Sequence, residues 1–227
     1  MNFDALVIGS KPGAEIPDLQ IKKVYTANGA AERGANYLEK FPESELTCLV
    51  GELEFEKNIN VKKRILDSKP SKIIVRGEKI SLPSELDKKC EKIFLNFRQQ
   101  QKIQSIYLKG GLFSIICAEY FRELKILQKL IYLSKKIRNF EFQGVSTGFF
   151  SILMALQENP NAKILITGIG MSGGKQFYKN ERNKTFDYTS RARVDRYLVK
   201  KLKKEFLNNI YTTDEDLNRH GNFKLWK

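Results

Sequence analysis

Six short apolar runs constrain this chain more than any other feature. They are Ala5 to Gly9, Lys23 to Thr26, Leu46 to Val50, Lys72 to Val75, Ile93 to Leu95 and Ile164 to Gly168. Short continuous apolar runs are what strands buried on both faces of a sheet require. The first is followed by Gly9-Ser10-Lys11-Pro12-Gly13, the second by Asn28-Gly29, the third by Gly51, and the last closes on Gly168. Ala30 to Lys40 and Asn60 to Leu66 have helical composition. This alternation predicts an α/β fold: a Rossmann-like open, mostly parallel sheet with helices on both faces. The middle differs, because Gln99 to Lys136 is rich in Lys, Gln, Leu, Ile and Tyr at helical spacing, with one break at Gly110-Gly111. It predicts a helical insert over 99–140, a lid above a pocket or a pair of covering helices. A polar loop runs from Gly170 to about Thr189, and Arg191 to Leu207 predicts a basic helix with Val194, Leu198, Leu202 and Phe206 along one face.

At 227 residues the chain can build one sizeable domain with a good core, or at most two small ones, and it is read as a single domain, 1–227. No stretch approaches the roughly 20 apolar residues of a membrane span, and Asp4 before the first strand is unlike a signal peptide. Cys48, Cys90 and Cys117 are odd in number, widely spaced and set among apolar residues. They predict reduced core thiols of a cytoplasmic protein, with neither a disulfide frame nor a metal site. The formal charge of +14 implies an acidic partner: nucleic acid, lipid headgroups or an anionic substrate. Arginine-aromatic interleaving suited to single-stranded nucleic acid is sparse, and lysine pairs such as Lys62-Lys63 are equally the solvated faces of helices.

Ligands of open parallel sheets bind beyond the carboxyl ends of the strands, near a switch in strand order. The loops Gly9 to Gly13, Asn28 to Ala30, Gly51 to Glu54 and that after Gly168 would share that edge. Val145-Ser146-Thr147-Gly148-Phe149-Phe150 opens an apolar helix facing the same rim. Its first N–H groups lack partners inside the helix and favour an anion, so Ser146, Thr147 and Gly148 are either a phosphate cradle or an ordinary N-cap. The first loop lacks Gly-x-Gly-x-x-Gly spacing, and no Gly-Lys-Ser/Thr loop occurs, which weighs against dehydrogenase and P-loop chemistry.

Val145 to Leu156, followed by Ile164-Leu165-Ile166-Thr167-Gly168-Ile169-Gly170, resembles the small sialyl motif of sialyltransferases. Leu6 to Gly13, with Tyr25-Thr26-Ala27-Asn28-Gly29, is similar to that family's first nucleotide loop and its asparagine element. The likeness is to compact bacterial sialyltransferases and covers both ends of the chain, with the middle unmatched. It implies a single-domain, glycosyltransferase-A-like variant that takes sialic acid or a related acidic sugar from a CMP-activated donor. Transfer would go to a glycan or glycolipid hydroxyl, with inversion, without a metal or other cofactor. By the same likeness Gly9 and Ser10 lie against the donor's phosphate or ribose, Asn28 bonds the CMP part, and Ser146, Thr147 and Gly148 present donors to it. Phe177-Tyr178 resembles the family's Phe-Tyr, whose tyrosine stabilises the departing phosphate; Tyr178 is equally a packed loop aromatic.

The family's general base is a histidine in the following segment, and this chain departs from it. Its single histidine is His220, near the C-terminus, and Asp187 to Asp195 contains none. Asp187 is the preferred substitute; Asp195, a folded-back His220, or loss of activity are the alternatives. Asp214-Glu215-Asp216 has metal-binding Asp-x-Asp spacing, yet an N-cap with an acidic first turn explains it. Glu52, Glu54 and Glu56 alternate as an exposed strand or loop would. The expected partners are a CMP-sugar, a glycan or glycolipid acceptor and, peripherally, the anionic inner membrane face, not nucleic acid. The rival classes are a non-catalytic nucleotide- or glycan-binding relative and a basic nucleic-acid-binding protein.

Overall fold

The computed structural model describes residues 2–78, 81–86, 88–120, 126–139, 141–171, 176 and 188–226. The six apolar runs form β1 (Ala5–Ile8), β2 (Lys23–Ala27), β3 (Glu45–Gly51), β4 (Lys72–Arg76), β5 (Glu91–Leu95) and β6 (Ile164–Thr167). Two shorter strands, β7 (Ile210–Thr212) and β8 (Lys224–Leu225), complete one sheet in the order β5-β4-β3-β2-β1-β6-β7-β8. Every neighbouring pair is parallel.

Successive strand residues face opposite sides, so two cores form. Ala5 and Val7 face one side, and Leu6 and Ile8 the other. The second side is covered by α1 (Ala31–Lys40), α2 (Glu52–Lys57) and α3 (Ile59–Asp67), which bring Tyr37, Phe55, Val61 and Ile65. In the middle of the chain lie α4 (Phe97–Tyr107), α5 (Gly111–Tyr120) and α6 (Ile126–Asn139). On the first side α4 and α5 bring Ile103, Tyr107, Ile115 and Ala118 against α7 (Thr147–Glu158) and α8 (Tyr188–Val199). Helix α7 is buried from Phe149 through Leu156, as an all-round apolar helix must be.

Two expectations are corrected. The basic helix expected over Arg191 to Leu207 is broken: α8 stops at Val199, and only Lys204–Leu207 is helical again, as α9. Between them the chain extends so that Leu202 pairs antiparallel with Leu108 and becomes buried. Lys109 N–H donates to Lys201 O, and Lys203 N–H to Tyr107 O. The Glu52, Glu54, Glu56 alternation is helical, not extended, because α2 turns inward to bury Phe55. The acidic stretch near the C-terminus begins α10 (Glu215–Gly221), with Asp214 as its N-cap residue. Among the described residues no helix is long and apolar enough to cross a membrane.

Candidate functional site

Strand β1 lies between β2 and β6, and the chain leaves it in one direction as far as β5 before returning to β6. The carboxyl ends of β1 and β6 therefore flank the switch in strand order, where a crevice opens. A cleft of about 340 Å³ occupies that place. Gly9, Ser10, Asn28, Ser146, Thr147 and Gly148 all line it, together with Lys11, Gly168, Ile169, Arg191, Asp195 and Asp216. Asp187 and Tyr178 lie outside the described residues.

The floor is built by close backbone approach. A Cβ on Gly9 would sit 2.1 Å from Gly168 O, and Gly168 itself has φ +72°, so both positions need glycine. Gly9 N–H donates to Thr167 O, and Lys11 N–H to Gly168 O, each at 2.8 Å. Arg33 on α1 donates to the carbonyls of Gly9 (3.1 Å) and Lys11 (2.9 Å). Asp214 accepts from Lys11 Nζ at 3.1 Å and from Ile169 N–H at 3.2 Å, tying the loops after β1 and β6 to the turn after β7. That carboxylate is an anchor of the loops, and no group of three His, Cys, Asp or Glu among the described residues is arranged to hold a metal ion. Asn28 adopts φ 52°, a left-handed conformation asparagine tolerates, and its Oδ1 accepts from Gly51 N–H at 3.4 Å.

The opposite wall is the start of α7 and the irregular strap before it, whose every backbone group from Gln143 to Val145 is gripped by side chains. Gln143 and Gly144 N–H both donate to Glu119 Oε1 (3.1 and 3.0 Å), and Val145 N–H to Gln104 Oε1 (3.0 Å). Arg76 Nη2 donates to Gln143 O (3.2 Å) and Val145 O (3.0 Å), and Arg191 Nη1 to Gly144 O (3.2 Å). Gly144 has φ +62°, and a Cβ there would meet Gln104 Oε1 at 2.0 Å. Arg76 also donates from Nε to Gln100 Oε1 (3.0 Å) and lies over the Phe150 ring, 4.3 Å from its centroid. Unpaired buried polar groups are costly, so this full satisfaction fixes the strap in one conformation.

Ser146 is the N-cap of α7: its hydroxyl accepts from Phe149 N–H at 3.2 Å. Its own N–H donates to Asp195 Oδ1 at 2.8 Å. The next two N–H groups, of Thr147 and Gly148, open the helix and have no acceptor among the hydrogen bonds of the described residues. Thr147 Oγ1 accepts from Arg76 Nη1 at 3.4 Å. A Cβ on Gly148 would meet nothing closer than Ser146 Oγ at 3.8 Å. The donors left facing the cleft are thus the N–H groups of Thr147 and Gly148, backed by the helix dipole and by the Arg76 and Arg191 cations.

Asp195 is 4% exposed and lines the cleft. Burial pushes its carboxyl pKa up, against the lowering effect of its bonds to Ser146 and of Arg191 and Arg76. His220 is half-buried on α10 and is not part of the cleft lining; burial, then Arg196 and Lys200, pull its pKa down. Arg76, Gln104, Glu119 and Arg191 are absent from any sequence expectation of the site. Two of them belong to a glutamine-rich helix and an apolar helix whose polar members look solvated until the strap is seen against them.

Searched against known proteins, the chain matches no family model, no curated protein and no solved structure.

Proposed function

We propose that this protein is a glycosyltransferase that takes sialic acid or a related acidic sugar from a CMP-activated donor. The acceptor is a glycan or glycolipid hydroxyl, and the transfer inverts the anomeric centre without a metal. The observation that carries the reading is the convergence of the Gly9–Ser10 loop, Asn28 and the Thr147–Gly148 helix start on one cleft at the strand-order switch. Those are the elements in which the sequence resembles sialyltransferases, and the free N–H pair suits a phosphate.

In this reading the Thr147 and Gly148 N–H groups hold the CMP phosphate, Asn28 contacts the nucleoside, and Tyr178 donates to the departing oxygen. The acceptor hydroxyl loses its proton to Asp187 as it attacks the anomeric carbon and CMP leaves. Asp195 is the second candidate for that base, supported by its position in the cleft and its raised pKa.

Donor turnover tests this. Wild-type protein should release CMP from CMP-sialic acid, and either Asp187→Ala or Asp195→Asn should abolish release while CMP still binds. CMP binding without turnover by the wild type would replace the enzyme with a non-catalytic nucleotide-binding relative, a reading favoured by the absence of His220 from the cleft lining.

A further inference from the structure

We infer that the outward face of the helical insert, α4 to α6, is a docking surface for an anionic phospholipid bilayer. Three observations meet there. Among the described residues nine large apolar side chains are exposed, and six of them belong to this insert: Ile106, Phe113, Tyr120, Leu130, Ile131 and Ile137. Phe113 is 72% exposed, Leu130 59% and Ile137 58%, so these are not grazing exposures at the edge of the core.

The exposed residues recur at helical spacing. Arg98, Lys102 and Ile106 follow at intervals of four on α4; Phe113 and Tyr120 are seven apart on α5; Leu130, Ser134 and Ile137 share a side of α6. Helix α4 thus turns a mixed apolar and basic stripe outward and α5 an apolar one, while Ile103, Tyr107, Ile115 and Ala118 of the same two helices pack inward; on α6 the exposed Ile137 adjoins the exposed Arg138.

The charge is lopsided as well. Phe97 to Asn139 holds nine lysines and arginines against two glutamates, half of the chain's formal excess of +14. One of the two glutamates, Glu119, is buried on the strap and offers the surface no negative charge. Exposed Leu, Ile and Phe interleaved with cations suit the boundary of an acidic leaflet, where apolar side chains enter the acyl layer and cations meet headgroups. Nucleic acid would match the cations but leave Leu130, Ile131 and Ile137 in water. A second copy of the chain would place like charges against each other.

The surface shares no residue with the cleft lining, so lipid binding and nucleotide binding are read separately and this inference does not depend on glycosyl transfer. The test is co-sedimentation with vesicles of phosphatidylcholine, with and without phosphatidylglycerol. Wild type should pellet with the phosphatidylglycerol vesicles and remain in solution with phosphatidylcholine alone. Phe113→Ser/Leu130→Ser/Ile137→Ser and, separately, Lys102→Glu/Arg138→Glu should each weaken that binding about tenfold or more. Both residues of the charge-reversal pair are exposed, so it decides the matter even where the apolar triple fails to fold. Absence of vesicle binding by the wild type, binding unchanged in the charge-reversal pair, or displacement of vesicles by an oligonucleotide would each overturn the inference. So would a wild-type dimer that the charge-reversal pair does not affect but the apolar triple dissolves.

Discussion

The Asp195 carboxylate accepts the Ser146 N–H at 2.8 Å, joining α8 to the first residue before α7. Ser146 therefore acts in two directions, capping α7 through its hydroxyl and anchoring it through its backbone. Because burial raises the Asp195 pKa above its ordinary 3.8, the folded state holds this proton more tightly than the unfolded chain. Stability from this group is then greatest at low pH and falls as pH rises from 3.8 through the raised value. Asp195→Asn keeps an acceptor and removes the titration, so its melting temperature should fall less than wild type's as pH rises above about 4. Asp195→Ala leaves the Ser146 N–H unpaired and should destabilise by about 1–3 kcal/mol. Equal pH slopes in wild type and Asp195→Asn would contradict this placement.

Two glycines of the cleft should behave oppositely. Gly9→Ala drives a methyl into Gly168 O at 2.1 Å, backbone against backbone, and should destabilise by at least about 2 kcal/mol. Gly148→Ala meets only ordinary contacts and should leave chemical denaturation within about 0.5 kcal/mol of wild type. Its methyl enters the cleft, so CMP affinity should fall. Urea titration and calorimetric binding on the two variants separate the effects.

Arg76 holds the strap by two carbonyls, bonds Gln100 and stacks on Phe150. Arg76→Ala should lower stability by roughly 2–4 kcal/mol, through orphaned buried acceptors and lost packing. Arg76→Lys restores charge but not the fork of donors, and should recover less than half of the loss in a urea titration.

Cys48 is fully buried on β3, and burial pushes its thiol pKa up to about 11, against its hydrogen bonds with Thr26 and Ser68. The thiol should resist alkylation at about pH 8 in native protein and react once denatured, because the thiolate is the nucleophile. Peptide mapping after iodoacetamide treatment reads this directly.

The sheet was legible from the chain because buried parallel strands write themselves as unbroken apolar runs, as at Leu6-Val7-Ile8 and Leu165-Ile166. Strands β7 and β8 escaped, since Ile210–Thr212 and Lys224–Leu225 are too short to carry a periodic signal. The break after Val199 escaped for another reason: Leu202 fits the helical stripe, and only its pairing with Leu108 pulls it into extended backbone. In the cleft, the glycine turns and the Ser-Thr-Gly helix start are local signals and were readable. The grip of Gln104, Glu119 and Arg76 on the strap was not, because those residues lie on separate elements and a lone Gln or Glu on a helix reads as solvated. A period-two alternation also disguised α2, where three alternating glutamates surround the single inward Phe55.

The central claim is that the cleft beside Thr147 and Gly148 receives CMP. A thermal-shift series with CMP, UDP, GDP and a nicotinamide dinucleotide tests it most directly. The account predicts a saturable rise in melting temperature with CMP alone, diminished in Gly148→Ala. No response to CMP, or an equal response to UDP or GDP, would contradict it.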